Sequence, residues 1–363
     1  MSSECYLYLV SRVAETKVEP AAGWEVEQAV AAAVPLPIAA AVTSCQRNGI
    51  ISMTKKRQLC IGTRGSALAL WQAEWVKAQL LAAHEELAVD LVVIKTTGDK
   101  ILDVPLAQVG GKGLFVKEIE EALLEGRADL AVHSVKDIPA ELPEGLHLAV
   151  MPAREDPRDA LVSRNGAGLD GLPHGARLGT SSLRRTAQLL HQRPDLRIET
   201  LRGNVDTRLR KLESEGFDAI VLAAAGLKRM ELSQVISEYL EPERILPAVG
   251  QGALGIETRA GDAFTNEMVR SLAHEETMTI VGAERAFLKR LEGGCQVPIG
   301  AHGTLEGKTL ILAGMVADLK GIRLIRRELR EDARQAEVVG RRLAEVILDS
   351  GGAEILTAIY GSQ

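Results

Sequence analysis

Aromatic residues are scarce in this chain, at 3% of its 363 residues. Proteins that bind single-stranded nucleic acid commonly stack bases on aromatic side chains, so the composition argues against such a surface. The formal net charge of −6 also argues against a general binder of polyanions. We therefore expect no nucleic-acid partner, and any anion site must come from a local cluster of basic side chains.

Cysteine is also rare, and the four cysteines are too far apart in sequence for a Cys-x-x-Cys pair or a zinc site. They are Cys5, Cys45, Cys60 and Cys295. A few dispersed cysteines are typical of a reduced protein, so we predict a cytoplasmic location and no metal site.

Long apolar runs are missing too. One run, residues 29–42, is interrupted by Pro35 and Pro37 and is too short to cross a bilayer. Glutamates precede it where a secretory signal has basic residues, so we expect no membrane partner. We predict that residues 1–56 are an extension without stable structure. An upstream over-read would also explain them, because Met53-Thr54-Lys55-Lys56-Arg57 resembles a bacterial start.

A short buried strand at residues 59–61 is followed by a glycine loop and a helix that begins near Ala67. Free backbone N–H groups at such a helix start attract anions, and Arg64 and Ser66 add side-chain donors. The loop lacks the Gly-Lys-Ser/Thr of a P-loop and the Gly-x-Gly-x-x-Gly of a dinucleotide site, which argues against ATP and NAD. We expect two tryptophans of this helix to anchor the core: Trp71 and Trp75.

The strand, glycine loop and helix recur at residues 177–185, which predicts a second α/β lobe. Strand ends in this region are rich in arginine. They carry Arg184, Arg185, Arg202, Arg208 and Arg229. Because guanidinium groups bind carboxylate or phosphate through two parallel hydrogen bonds, this clustering in an acidic protein indicates a polyanionic small molecule as ligand.

Another strand ends in His133-Ser134-Val135-Lys136-Asp137. Ligands of open α/β sheets bind beyond the carboxyl ends of strands, which favours Lys136 and Asp137 as ligand contacts. A solvated surface pair is the alternative. Residues 95–113 are polar and glycine-rich, as expected for a mobile lid or for a surface loop without a role.

The C-terminal part predicts a small α+β domain. A helix at residues 280–291 leads into Gly293-Gly294-Cys295-Gln296, and strands at 299–304, 309–317 and 323–330 precede a helix at 333–348. Taken alone, Cys295 is typical of an exposed turn thiol without a function. We predict an α/β fold with residues 57–155 plus 250–272 as domain 1, 156–249 as domain 2 and 273–363 as domain 3.

Seven motifs, taken together and in this order, resemble the porphobilinogen deaminase family. They are Gly62-Thr63-Arg64-Gly65-Ser66-Ala67-Leu68-Ala69-Leu70-Trp71-Gln72, His133-Ser134-Val135-Lys136-Asp137, Gly179-Thr180-Ser181-Ser182-Leu183-Arg184-Arg185, Arg202-Gly203-Asn204-Val205, Leu227-Lys228-Arg229, Pro247-Ala248-Val249-Gly250-Gln251-Gly252 and Gly293-Gly294-Cys295-Gln296-Val297-Pro298-Ile299-Gly300. The resemblance covers nearly everything from Leu59 to the C-terminus and offers no role for the residues before Met53.

This resemblance implies a transferase of tetrapyrrole and heme biosynthesis. Such an enzyme joins four porphobilinogen molecules with loss of ammonia and yields hydroxymethylbilane. It implies a dipyrromethane cofactor attached to Cys295 by a thioether, and a monomer with two periplasmic-binding-protein-like α/β lobes. The small C-terminal domain would carry an antiparallel three-stranded sheet.

The resemblance also implies roles for individual residues. Asp137 would be catalytic, as the carboxylate that stabilises positive charge on the substrate. The cofactor would be held by Cys295, Lys136, Asp137, Thr180, Ser182, Arg184, Arg185 and Arg208. The substrate would be bound by Arg64, Ser66, Arg202, Arg229, Ser134 and Gln251. Two alternatives are a two-lobed anion receptor without catalysis, and a hydrolase that uses Cys295 with His133 or His302.

Overall fold

The computed structural model describes residues 56–100, 116–292 and 297–361. The predictions for the N-terminal extension, for most of the lid and for Cys295 lie outside these residues. The strands are β1 (Arg57–Thr63), β2 (Leu87–Val93), β3 (Leu130–Ser134), β4 (Leu146–Val150), β5 (Asp159–Ser163), β6 (Arg177–Gly179), β7 (Arg197–Glu199), β8 (Ala219–Ala223), β9 (Glu238–Leu240), β10 (Leu254–Arg259), β11 (Ile299–Glu306), β12 (Thr309–Ala317) and β13 (Leu324–Asp332).

The α-helices are α1 (Ala67–Ala83), α2 (Thr97–Lys100), α3 (Lys117–Leu124), α4 (Leu183–Gln192), α5 (Val205–Ser214), α6 (Ala224–Arg229), α7 (Ala263–Val269), α8 (Glu275–Arg290), α9 (Ala336–Ile347) and α10 (Ala353–Tyr360). Within the described ranges, no helix is both long enough and apolar enough to cross a membrane.

The strands form three sheets. The first has the order β2-β1-β3-β10-β4 and the second has the order β7-β6-β8-β5-β9. Each is parallel except for its fourth strand, β10 in the first and β5 in the second. The third sheet is the antiparallel meander β11-β12-β13. The predicted fold class, two α/β lobes with a three-stranded C-terminal domain, is confirmed.

The two antiparallel strands, β10 and β5, explain how the lobes are joined. The chain leaves β4 of the first lobe and enters the second lobe as β5, and it leaves β9 and returns to the first lobe as β10. Each lobe is therefore completed by a strand that comes from the other, and two segments, residues 151–158 and 241–253, cross between them. After the glycine-rich stretch near residue 250 the chain enters the first sheet as β10, and the predicted domain division stays a prediction.

Apolar periodicity accounts for the first lobe. Leu59 and Ile61 of β1 are buried, and α1 covers the sheet with Ala73, Val76 and Leu80, which share one helical face. The expectation for the tryptophans is half wrong. Trp75 packs against this core, but Trp71 is 36% exposed because it lies on the opposite side of α1 from the buried face.

The C-terminal domain packs α8 and α9 on its sheet, with Phe287 fully buried among them. The predicted helix at 280–291 begins earlier, at Glu275, because His274 caps the helix by accepting a hydrogen bond from the backbone N–H of Thr277. This domain also touches the second lobe, where Met315 and Ala317 of β12 share a buried cluster with Ala187 of α4.

Candidate active site

Lys136 and Asp137, the two adjacent charged residues that the sequence analysis favoured as ligand contacts, follow the end of β3. After Ser134 the backbone makes a 3-10 turn, Val135–Asp137, whose first residue is buried and whose last is exposed. Among the described residues, no hydrogen bond to the carboxylate of Asp137 is formed. It interacts electrostatically with Lys136 and Arg208, and without a hydrogen-bond partner in the described structure it remains available to a ligand.

Lys136 is a partly buried cation. Burial lowers the pKa of its ammonium group to about 8, and the neighbouring Asp137 opposes that shift. Its other charged neighbours are Arg184, Arg185 and Asp159, all of them in the second lobe. Because burying an ammonium without a bonded carboxylate is unfavourable, a ligand carboxylate at this point would stabilise the charged form.

Arg184 and Arg185, at the start of α4, form a buried ion cluster with Asp159. Arg184 Nη1 donates to Asp159 Oδ2 at 2.7 Å, and Arg185 Nη2 donates to Asp159 Oδ1 at 2.7 Å. Arg184 also donates to the carbonyl of Leu246, and Arg185 to that of Val221. Burial disfavours the charged carboxylate, but the two guanidinium groups hold the pKa of Asp159 well below its usual range.

Gln251 belongs to the same cluster. Its Nε2 donates to Asp159 Oδ1 at 2.9 Å and to the carbonyl of Pro157 at 2.7 Å, and the residue is buried. Its predicted contact with substrate stays a prediction. The geometry shows a residue that ties the segment returning to the first lobe to the first residue of β5.

Thr180 and Ser182 shape the start of α4. The backbone N–H of Ser182 donates to Thr180 Oγ1, and Ser182 Oγ accepts from the backbone N–H of Arg185 as the helix cap. Ser66 caps α1 of the first lobe in the same way, accepting from Ala69. Each predicted anion-binding loop therefore precedes a capped helix start.

Arg208 and Arg229 retain much of their donor capacity. In the described structure, Arg208 Nε donates to the carbonyl of Gly203 at 2.8 Å, and Arg229 Nη2 donates to the carbonyl of Gly252 at 2.7 Å. Neither guanidinium has a carboxylate within ion-pair distance among these residues. Burial lowers the pKa of Arg208 and that of Arg229 to about 10, so both stay charged at neutral pH.

Three further predicted site residues, Ser134, Arg64 and Arg202, are partly buried. Ser134 Oγ accepts a hydrogen bond from the buried Gln72 at 3.0 Å, and Arg64 is half-buried. Arg202 is also half-buried, and it is one of the charges that influence Arg208.

Charge and position define the site as a whole. Lys136 and Asp137 of the first lobe interact with charges of the second lobe, which are Arg184, Arg185 and Asp159 for Lys136 and Arg208 for Asp137. Arg208 in turn interacts with Arg202. With Asp137 and Asp159 as the two carboxylates among five cations, an excess of three positive charges lies between the lobes. Such an arrangement attracts a ligand with several carboxylates and places one exposed carboxylate beside it.

Sequence reasoning missed Asp159. The residue begins an otherwise apolar strand, and an acid at the head of a buried strand was its one local signal. It also missed a second buried acid, Glu257, whose Oε2 lies 2.9 Å from His133 Nε2. Glu120 lies nearby, and burial together with Glu257 raises the pKa of Glu120 to about 7.

These features define a two-lobed α/β protein with a third domain and with a cluster of cations that suits a ligand with several carboxylates. The sequence profile described as "Porphobilinogen deaminase, dipyromethane cofactor binding domain" matches residues 59–267, and that of the porphobilinogen deaminase C-terminal domain matches residues 278–349. The chain belongs to the porphobilinogen deaminase family.

Curated relatives agree. The chain is 60% identical to the porphobilinogen deaminase of Syntrophotalea carbinolica over 301 residues, which are 83% of this chain and 96% of that one. It is 56% identical to the Geobacter metallireducens enzyme over 304 residues, 84% of this chain and 95% of that one. This membership replaces the receptor and hydrolase alternatives, and His133 is buried against Glu257.

Solved structures of two-lobed binding proteins align more loosely. A TRAP periplasmic solute binding protein from Desulfovibrio salexigens gives a TM-score of 0.38 at 11% identity, covering 61% of this chain and 74% of that one. An extracellular amino-acid-binding protein of an ABC transporter from Bacillus subtilis gives 0.36 at 12% identity, covering 60% and 91%.

The donor set fits a dipyrromethane. Each of its two rings carries carboxylate side chains, and Lys136 and Arg208 offer charged N–H groups that no carboxylate of the described structure bonds. The hydroxyl groups and helix start at Thr180 and Ser182 add neutral donors. The cofactor-binding domain in the family profile covers all of these residues.

Proposed function

We propose that Asp137 is the catalytic carboxylate of this enzyme and that the cations between the lobes hold the carboxylates of substrate and cofactor. As a hydroxymethylbilane synthase, the enzyme joins four porphobilinogen molecules with loss of ammonia. The observation that carries the assignment is the exposed carboxylate of Asp137, without a hydrogen-bond partner in the described structure, beside Lys136 and Arg208.

The dipyrromethane, when bound through Cys295, supplies the terminal pyrrole ring to which the first substrate is joined. Its carboxylates would be held by Lys136, Arg208, Arg184 and Arg185, with Thr180 and Ser182 as neutral donors. Because Asp159 already bonds both Arg184 and Arg185, these two contribute their remaining N–H groups and one net positive charge.

Asp137 would act on the incoming porphobilinogen. When ammonia leaves, positive charge develops on the substrate ring, and a carboxylate fixed beside it stabilises that charge more in the transition state than in the ground state. The same oxygen atoms can accept a hydrogen bond from the pyrrole N–H. Arg64, Ser66, Arg202, Arg229, Ser134 and Gln251 would orient the substrate.

The partners and location follow from the same reaction. We expect the enzyme to work as a monomer in the cytoplasm on a small molecule, without nucleic acid. A single peak at the mass of one chain in analytical ultracentrifugation would support the monomer, and a concentration-dependent dimer would contradict it.

The test replaces Asp137 by Asn, which keeps the shape and removes the charge. We expect turnover to fall by about a hundred-fold or more, as for the loss of one strong electrostatic contact in a transition state. Asp170→Asn is the control, because this exposed acid pairs with Arg244 and neither residue belongs to the proposed site. Nearly full turnover in Asp137→Asn would refute the assignment.

Intact mass spectrometry accompanies the rate measurement. Retention of two pyrrole units on Asp137→Asn shows that the loss lies in catalysis. An unmodified wild-type chain from a host able to make the cofactor would contradict the attachment to Cys295.

A further inference from the structure

Helix α8 of the third domain reaches the turn that carries Asp137. Arg285 Nη2 donates to the carbonyl of Pro139 at 2.8 Å and to that of Ala140 at 3.3 Å, and Nη1 donates to the carbonyl of Ile138 at 3.5 Å. One guanidinium therefore binds three consecutive carbonyls, and these belong to the residues that directly follow Asp137.

An apolar contact also stabilises the turn that carries Asp137. Val281 lies one helical turn before Arg285, and it is fully buried in a cluster with Val135 and Ile138. These two residues flank the pair Lys136-Asp137 on either side. The turn is thus packed from the same helix that bonds its carbonyl groups.

Burial lowers the pKa of the Arg285 guanidinium, and an acid of the first lobe opposes that shift. Glu257 of β10 is the acid that interacts with it electrostatically, and Glu257 Oε2 lies 2.9 Å from His133 Nε2. His133 stands four residues before Asp137 on β3. The segment that presents Asp137 is consequently held before and after the carboxylate by one connected set of residues.

The position of α8 connects the contact between Arg285 and the Asp137 turn to catalysis. Its last residue, Arg290, precedes Cys295 by five positions. One helix therefore both leads to the tether of the cofactor and fixes the backbone of the turn with the catalytic carboxylate. Small displacements between reacting groups cost large factors in rate, so such a common support has a direct kinetic consequence.

We propose that Arg285 is a positioning residue that fixes the distance between Asp137 and the cofactor-bearing domain. The proposal rests on the catalytic role of Asp137. It extends that role to a residue outside the lobes, in the domain that carries the cofactor.

The test uses the holoenzyme with Arg285→Gln and Arg285→Lys. We expect kcat to fall by about ten-fold or more in Arg285→Gln, with KM within about three-fold of wild type and the two-pyrrole adduct retained. Arg285→Lys keeps the charge but cannot donate to several carbonyls from one planar group, so its kcat should lie between those of Arg285→Gln and wild type. The matched control is Arg290→Gln, on the same helix, which removes an exposed ion pair with Glu345 inside the third domain.

A double variant separates positioning from general structural support. In the Asp137→Asn background, Arg285→Gln should slow the reaction no further, since there is no carboxylate left to position. Losses that multiply in the double variant would overturn the proposal, as would wild-type kcat in Arg285→Gln. If Arg285→Gln loses its cofactor, Arg285→Lys takes its place in the single and the double variant, and the same two outcomes support or overturn the proposal. Full turnover of Asp137→Asn alone would instead refute the proposed function.

Discussion

Arg185 and Asp159 meet in a nearly solvent-free contact, with 2.7 Å between Arg185 Nη2 and Asp159 Oδ1. Arg184 binds the other oxygen of the same carboxylate at the same distance. One buried acid thus compensates two guanidinium groups that were expected to serve a ligand. The site keeps its positive excess because the compensation is incomplete.

Asp159→Asn tests how much this contact stabilises the fold. Loss of one partner leaves two buried cations uncompensated, so the free energy of unfolding should fall by about 3–5 kcal/mol. Urea denaturation measures it. Glu199→Gln, which breaks an exposed ion pair with Arg177 in the same lobe, should change little. Equal midpoints for the Asp159 variant and wild type would contradict a stabilising role.

Lys136 should give turnover a pH dependence. Burial lowers the pKa of its ammonium to about 8, so the group is cationic below that pH and loses its charge above it. Since only the cation attracts the cofactor carboxylates that Lys136 is proposed to hold, kcat should fall as pH passes 8. Initial-rate measurements from pH 7 to 9.5 test this.

The control for this profile is Lys136→Arg, because guanidinium stays charged over the whole range. Its kcat should lack the fall above pH 8, whatever its absolute value. The same fall in both proteins would assign the effect to the substrate or to another group.

Gly252 should tolerate no side chain. Its φ is +88°, and an added Cβ would lie 2.3 Å from the carbonyl oxygen of Glu155, in the other segment that crosses between the lobes. Gly252→Ala should lower the free energy of unfolding by at least about 1 kcal/mol from backbone strain alone, and the clash should reduce turnover as well.

Gly261→Ala is the comparison, because nothing lies within 4 Å of the added methyl group. Thermal melting and turnover are measured for both variants, and only Gly252→Ala should lose stability and activity. An alanine at 252 as harmless as one at 261 would mean that the crossing segments adjust freely.

The sequence by itself determined the two lobes, the three C-terminal strands and the residues gathered at the strand ends. Strand–glycine–helix patterns and apolar periodicity are local, and the carboxyl ends of neighbouring parallel strands meet at one edge of a sheet. Lys136 and Asp137 could therefore be placed at such an edge in the first lobe and the arginines at another in the second, while the family resemblance alone implied that the two groups share one site.

Only the tertiary structure decided which charges face one another. Asp159 lies 25 positions before Arg184, on a strand that enters the second sheet from the first lobe, and Arg285 lies 146 positions after Pro139. No periodicity connects such residues. Burial and hydrogen bonding depend on the packing of whole domains, so the compensation of Arg184 and Arg185 and the support of the Asp137 turn are properties of the folded chain alone.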